Sequence, residues 1–197
     1  MLTVADDCDR IERQLTGGDL ACPDCRGELR PWGHARSRWL RTRHGRRRVR
    51  PRRACCQACH RTHVLLPGVM LHRRADAVEV IGEALIASAA GEGHRPIAAR
   101  LGRPYATVRG WLRRFSARAE QTASHAVRCV YWLDMAAFRV EPAQDTGPTQ
   151  AALDLLGRAV AAVERFLGKA RSRWQVVAGL CSGRLLANTS CPYPSLW

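Results

Sequence analysis

Apolar positions recur at three- and four-residue steps through the second half of the chain, and this periodicity predicts helices. Ala77, Val78, Ile81, Ala84, Leu85 and Ser88 fall on one face of a first helix that ends at Gly91-Glu92-Gly93. A short helix from Pro96 to Leu101 comes next and stops at Gly102. A second begins near Pro104, where proline suits the first turn. Val108, Trp111, Leu112 and Phe115 take the i, i+3, i+4, i+7 positions of that helix, where Ile97, Ala98 and Leu101 would meet them. Its opposite face carries Arg103, Tyr105, Arg109, Arg113 and Arg114. A short helix, a glycine turn and a basic second helix make the pattern of a helix-turn-helix.

Beyond it, Ala126, Val130, Leu133 and Ala137 form a stripe over residues 121–140, widened by Trp132 and Phe138. A polar linker with Pro142 and Pro148 leads to the most regular amphipathic stretch, residues 149–168. There Leu153, Leu156, Val160, Val163 and Leu167 fall at a and d heptad spacing, with Phe166 beside them. Three heptads are short for a stable coiled coil. The stripe therefore predicts packing on 121–140, with a homodimer through 149–168 as the alternative. From Ser172 the chain holds Trp174, the small turn Ser182-Gly183 and Leu185-Leu186, and the last residues, with Pro192 and Pro194, are expected to be loose.

The first half is patterned differently. Residues 1–21 are acidic, with Ile11 and Leu15 four apart, and predict a leader helix ended by Thr16-Gly17-Gly18 and packed loosely on the cysteine-containing module after it. The stretch from Arg36 to Arg43 sets Trp39 and Leu40 among arginines, and His44-Gly45 suits a turn. Val49 to Ala54 would return as a strand, another is expected at Thr62–Leu66, and Pro67-Gly68 breaks the chain. Trp32 and Trp39 are read as the small core of this module, with stacking on bases as the other reading. The fold class expected is mainly α. An N-terminal zinc ribbon with a little β structure precedes a helix-turn-helix domain and a C-terminal helical segment. The expected divisions fall at 1–21, 22–67, 68–120 and 121–197.

Cysteine spacing supplies the ribbon's staple. Cys22-Pro-Asp-Cys25 and Cys56-Gln-Ala-Cys59 are two C-x-x-C pairs, the spacing that brings four thiolates around one tetrahedral zinc. Thirty residues separate Cys25 from Cys56, longer than the usual gap but within reach of an extended hairpin. Cys55, His60 and His63 stand near enough to replace one of the four ligands. No secretory signal is visible, which argues against a disulfide framework. The cofactor expected is Zn²⁺ in a structural role, because four thiolates leave no open position for a reacting water. Cys8, Cys129, Cys181 and Cys191 have no metal spacing and are expected to be free thiols.

Charge then narrows the partner. The 197-residue chain carries a formal charge of +15, and its positive residues are arginines except for Lys169. From Leu29 to Ala75 there are 14 arginines and no Asp or Glu. A field concentrated in this way points to nucleic acid, where ordinary surfaces mix both signs. Tyr105, Ala106 and Arg109 would reach base edges and Arg113 and Arg114 phosphates, with Arg95, Arg103 and Thr107 as further DNA-binding residues. In the ribbon, Arg36, Arg38, Arg41, Arg43, Arg46, Arg47, Arg48, Arg50, Arg52 and Arg53 would lie along the backbone or in an adjacent minor groove. Double-stranded DNA is the partner expected, in a cytoplasmic, nucleoid-associated setting. No apolar run approaches the ~20 residues that cross a bilayer.

The segment Ile97-Ala-Ala-Arg-Leu-Gly102, continued by Thr107-Val-Arg-Gly-Trp-Leu-Arg-Arg-Phe115, resembles the helix-turn-helix of bacterial insertion-sequence transposases and related regulators. The Cys22–Cys59 ribbon with Thr62-His-Val-Leu-Leu-Pro67 resembles the zinc module that precedes such domains. Residues 20–120 are similar as well to short actinobacterial helix-turn-helix proteins of unknown function. The resemblance implies sequence-specific DNA binding, as a regulator or as a transposase-derived protein. One departure is Pro104, where similar motifs carry a capping Ser, a loss of about 1 kcal/mol.

A transposase would also need a carboxylate triad holding two metal ions. The acids after Phe115 are Glu120, Asp134, Glu141, Asp145, Asp154 and Glu164, on a mostly helical stretch with no glycine-punctuated strands. Neither a phosphate-binding G-x-x-x-x-G-K loop nor a serine nucleophile elbow is present. His63, His94 and His125 have no carboxylate neighbour in sequence. The expectation is a protein without catalytic residues. The alternatives are a DNA-binding subunit that recruits a separate enzyme through its C-terminal helices, and an RNA-binding zinc ribbon.

Overall fold

A computed structural model describes residues 1–134, 146–168 and 172–187. Ala137, Phe138, Glu141, Pro142, Asp145, Lys169, Cys191, Pro192 and Pro194 lie outside the described residues. The architecture is mixed α/β, with seven helices and six strands among the described residues, and not mainly α as the sequence suggests. The difference arises in the first 67 residues, where short strands carry little periodicity.

The chain opens with β1 (Leu2–Val4), which pairs in parallel with the later strand β6 (Thr62–Pro67), Leu2 opposite Leu65. Helix α1 (Cys8–Gly17) comes next. Asp7 caps it by accepting from the Arg10 N–H at 3.0 Å, and Gly18 closes it in the left-handed region at φ 78°. Strands β2 (Leu29–His34) and β5 (Arg52–Cys56) complete a four-stranded sheet in the order β1-β6-β5-β2. The leader helix is part of this unit: Ile11 and Leu15 are buried with Leu29, Ala54, Leu65, Cys22 and Cys56. Strands β3 (Arg38–Thr42) and β4 (Gly45–Val49) form a separate hairpin turned at Arg43-His44. Pro51 divides the single expected strand over Val49–Ala54 into β4 and β5.

Trp32 and Trp39 are 58% and 59% exposed, so they are not the core of the ribbon. Its interior consists of the smaller aliphatics and the cysteines, which a metal site can supplement.

The helices are α2 (Val78–Ala89), α3 (His94–Leu101), α4 (Tyr105–Ser116), α5 (Ala119–Leu133), α6 (Pro148–Leu167) and α7 (Arg173–Leu180). Gly102, at φ 61°, ends α3, and its N–H returns to the carbonyls of Ala98 and Ala99. Pro104 is the cap residue of α4 and lies outside its first turn. Val108, Trp111 and Phe115 are buried against Ile97, Ala98, Ile81 and Leu85, as their spacing requires. The α6 face packs on α5 through Ala152, Leu156, Ala159 and Val160. Leu153 and Val163 are half-buried and Leu167 is 82% exposed, so alanines carry much of a contact that the heptad reading gave to leucines.

One core joins hairpin, helices and C-terminal strap. Leu40 and Val49 of the hairpin are buried with the helices, as are Val177, Cys181, Leu185 and Leu186. Trp174 lies flat against Gly82, where an added Cβ would come within 2.0 Å of the indole. Among the described residues no helix is long and apolar enough to cross a membrane.

Candidate metal centre and basic surface

The two cysteine pairs sit on two turns of the same build. In the first, Cys22 N–H donates to Gly27 O at 2.7 Å and Arg26 N–H to Cys22 O at 2.9 Å. In the second, Cys56 N–H donates to Arg61 O at 3.0 Å and His60 N–H to Cys56 O at 3.1 Å. Arg26 and His60 both adopt left-handed backbone, φ 65° and 59°, which turns each chain back beneath its sulfurs. Gly27 lies between the turns. A Cβ there would fall 2.8 Å from Ala58 Cβ and 3.1 Å from Cys56 Sγ, so the close approach requires glycine. Arg61 and Asp24 pair across the turns at 3.0 Å.

The sulfurs of Cys22, Cys25, Cys56 and Cys59 lie within 4.8 Å of one another. Cys22 Sγ is 3.8 Å from Cys59 Sγ, and Cys25 Sγ is 3.4 Å from Cys56 Sγ. A tetrahedron with ~2.3 Å metal–sulfur bonds has edges of about 3.8 Å. The Cys59 N–H points at Cys56 Sγ at 3.5 Å. That N–H, with the one from Ala58, holds the Cys56 thiol down at about 7. The four cysteines can therefore hold a metal ion such as zinc, with thiolates as its donors.

The sequence left Cys55, His60 and His63 as substitutes. Cys55 Sγ donates to the carbonyls of Cys56 and His60, away from the cluster. His60 is exposed on its turn. His63 is buried, with Nε2 3.3 Å from Cys22 Sγ and Nδ1 3.2 Å from the Met1 amine. Accepting from that amine leaves Nε2–H to donate to the thiolate, the role of a residue that orients a ligand from outside the sphere.

The arginines divide into two groups. Asp76, 2% exposed, accepts from Arg41 at 2.6 Å and from Arg103 at 2.6 Å, joining β3 to the turn before α4. Arg103 also donates to Thr42 O at 2.9 Å. Glu83 of α2 accepts from Arg43 of the hairpin and from Arg100 of α3. Arg47 pairs with Asp6 at 2.8 Å and Arg52 with Glu12 at 2.5 Å. Arg48 donates to Ser37 Oγ and Arg53 to Thr62 Oγ1, each at 2.8 Å. Arg114 bonds the Gly110 carbonyl at 2.9 Å.

Arg36, Arg38, Arg46, Arg50, Arg95, Arg109 and Arg113 are exposed, with no hydrogen-bond or ion-pair partner among the described residues. Tyr105 and Ala106 are exposed at the start of α4, and Thr107 is half-buried. The acids that neutralise the arginine run come from α1, its preceding loop, Asp24 and Glu28 just ahead of the run, and the 76–83 stretch, so the sequence window showed none of them. Asp76 and Glu83 are the residues that sequence reasoning missed. An acid near a basic run carries no periodic signal.

Of the acids weighed for a catalytic triad, Asp134 pairs with Arg165 at 2.7 Å and Glu164 with Arg173 at 3.2 Å, while Asp154 accepts from Gln150 at 2.8 Å. Glu120 is exposed on α5, and Glu141 and Asp145 lie outside the described residues.

The model of a family described as a domain of unknown function (DUF6431) matches residues 22–111, from the first cysteine of the metal cluster into α4. No curated protein and no solved structure matches the chain.

Proposed function

We propose that this chain is a zinc-stapled helix-turn-helix protein that binds double-stranded DNA. The observation that carries the reading is the division of α4: Val108, Trp111 and Phe115 are buried, while Tyr105, Ala106, Arg109 and Arg113 stand clear of the body. A helix braced on one face and bare and basic on the other fits a major groove. In this reading Arg109 and Tyr105 meet base edges and Arg113 and Arg95 meet phosphates. The hairpin arginines without acid partners follow the backbone on one side. Zinc in the four-cysteine cluster contributes no chemistry to DNA; it fixes the turns on which the sheet and hairpin stand. The reading gives the protein no reaction of its own, as a regulator or a transposase-derived binder.

The test is a selection of genomic fragments with purified, zinc-loaded protein at 50 and 200 mM salt. A shared motif of roughly 8–20 base pairs that survives the higher salt is the expected result. Fragments with no common motif, all lost at 200 mM, would leave only charge-driven binding and defeat the claim of specificity.

A further inference from the structure

We propose that the groove at the base of the β3–β4 hairpin takes unpaired bases of a nucleic-acid strand, stacked on Trp39. This deepens the nucleic-acid reading above and rests on it. The groove is open and shallow, is lined by His34, Ala35, Arg36, Ser37, Arg48 and Arg50, and has a volume of about 810 Å³. Its walls are fixed. The Ala35 N–H donates to Pro51 O at 2.8 Å, tying the two strands at the point where the hairpin leaves the sheet. Arg48 Nε donates to Ser37 Oγ at 2.8 Å, which holds that guanidinium over the groove.

Two features separate this groove from the rest of the arginine-rich surface. At the seam with the helices every arginine pair is answered by Asp76 or Glu83. The groove has no acidic lining residue, and Arg36 and Arg50 have no partner among the described residues. Trp39 lies opposite Arg48 in the ladder, which puts both side chains on one face, and its indole is 59% exposed. An open indole across from Arg48, whose groove also carries the uncompensated Arg36 and Arg50, fits a base with its phosphate. In a duplex the base faces are hidden by their neighbours, so such a platform is useful only where bases are unpaired. The hairpin's five-residue strands separate this base from the tip beside α3 by roughly 15 Å. A strand of a few nucleotides can bridge that distance from a duplex held by α4.

The experiment uses the full, zinc-loaded chain and three probes: a blunt duplex carrying the selected motif, the same duplex with a thymine overhang of about ten nucleotides, and the same overhang made abasic. The overhang should tighten binding by roughly tenfold or more, and the abasic version should recover only a small part of that. Trp39→Ala should remove the gain and leave blunt-duplex affinity within about twofold, while Trp39→Phe keeps most of it. Arg50→Ala should weaken both overhang probes alike. Equal binding of blunt and overhang probes would overturn the proposal. So would an abasic overhang as good as the thymine one, or a Trp39→Ala loss shared equally by all probes. If the overhang strand alone binds and no duplex does, the groove stands and the duplex reading falls. If no probe binds, both fall.

Discussion

Arg103 and Arg109 sit on the same polar side of the second helical segment in sequence, yet they belong to different energetics. Arg103 is bound to a buried carboxylate that it shares with Arg41, whereas Arg109 is exposed and unpaired among the described residues. Breaking a buried pair leaves charge without its partner, and Asp76 would keep only Arg41. Arg103→Ala should therefore cost about 2 kcal/mol and lower the melting temperature by roughly 5 °C. Its affinities should fall alike for all DNA sequences. Arg109→Ala should leave the melting temperature within a degree or so and relax base preference at one or two positions, at about 1–3 kcal/mol of discrimination. Thermal denaturation and motif selection on both variants separate the two roles, and the reverse pattern would exchange the assignments. The polar face of α4 was legible from its period. The partner of Arg103 was not, because Asp76 stands 27 positions earlier with no pattern linking them.

Among the elements, the metal ribbon shows what spacing can and cannot encode. The C-x-x-C pairs name the four sulfurs that the fold brings together, because two residues between cysteines is itself a geometric constraint. β1 was invisible: three residues have no period, and its pairing with β6 depends on a segment sixty residues away. The exposed tryptophans were misread for a related reason, since an aromatic residue in a strand carries no mark of which side it faces. Cys22→Ser should release the metal and unfold the sheet that buries Leu15, Leu29 and Leu65, read as loss of bound zinc and of melting cooperativity. Retained zinc would show that another residue completes the sphere. The α5–α7 contact has its own signature. His125, fully buried, donates from Nε2 to the Leu180 carbonyl at 2.8 Å, and burial depresses its pKa from the ordinary 6.5. As pH falls through 6.5 the unfolded chain takes up a proton that the folded chain resists, so stability is full above that value and lost below it. The melting temperature should drop between about pH 7.5 and 5.5 and the drop should be smaller in His125→Gln, with metal content followed in parallel.

For the molecule as a whole, the question is how much of its charge is available. The sequence carries +15, and the basic run was legible at once, but its local neutralisation depends on the fold. Asp6, Glu12, Asp76 and Glu83 come from outside the run and engage six arginines, four of which serve as seams that make hairpin and helices one body. Of the arginines assigned to DNA, seven are exposed and unpaired among the described residues, and the six of them other than the base-reading Arg109 set the expected count of phosphate contacts. Each contact contributes about −0.9 to the slope of log affinity against log salt, which gives a slope near −5. Affinity should then fall by roughly 10³-fold between 50 and 200 mM salt. Equilibrium binding across that range measures the slope. A value near −9 would mean that the Asp76 and Glu83 seams open and exchange carboxylate for phosphate. In that case Arg103→Ala would shallow the slope. If the seams stay closed, that substitution changes stability and leaves the slope where it was.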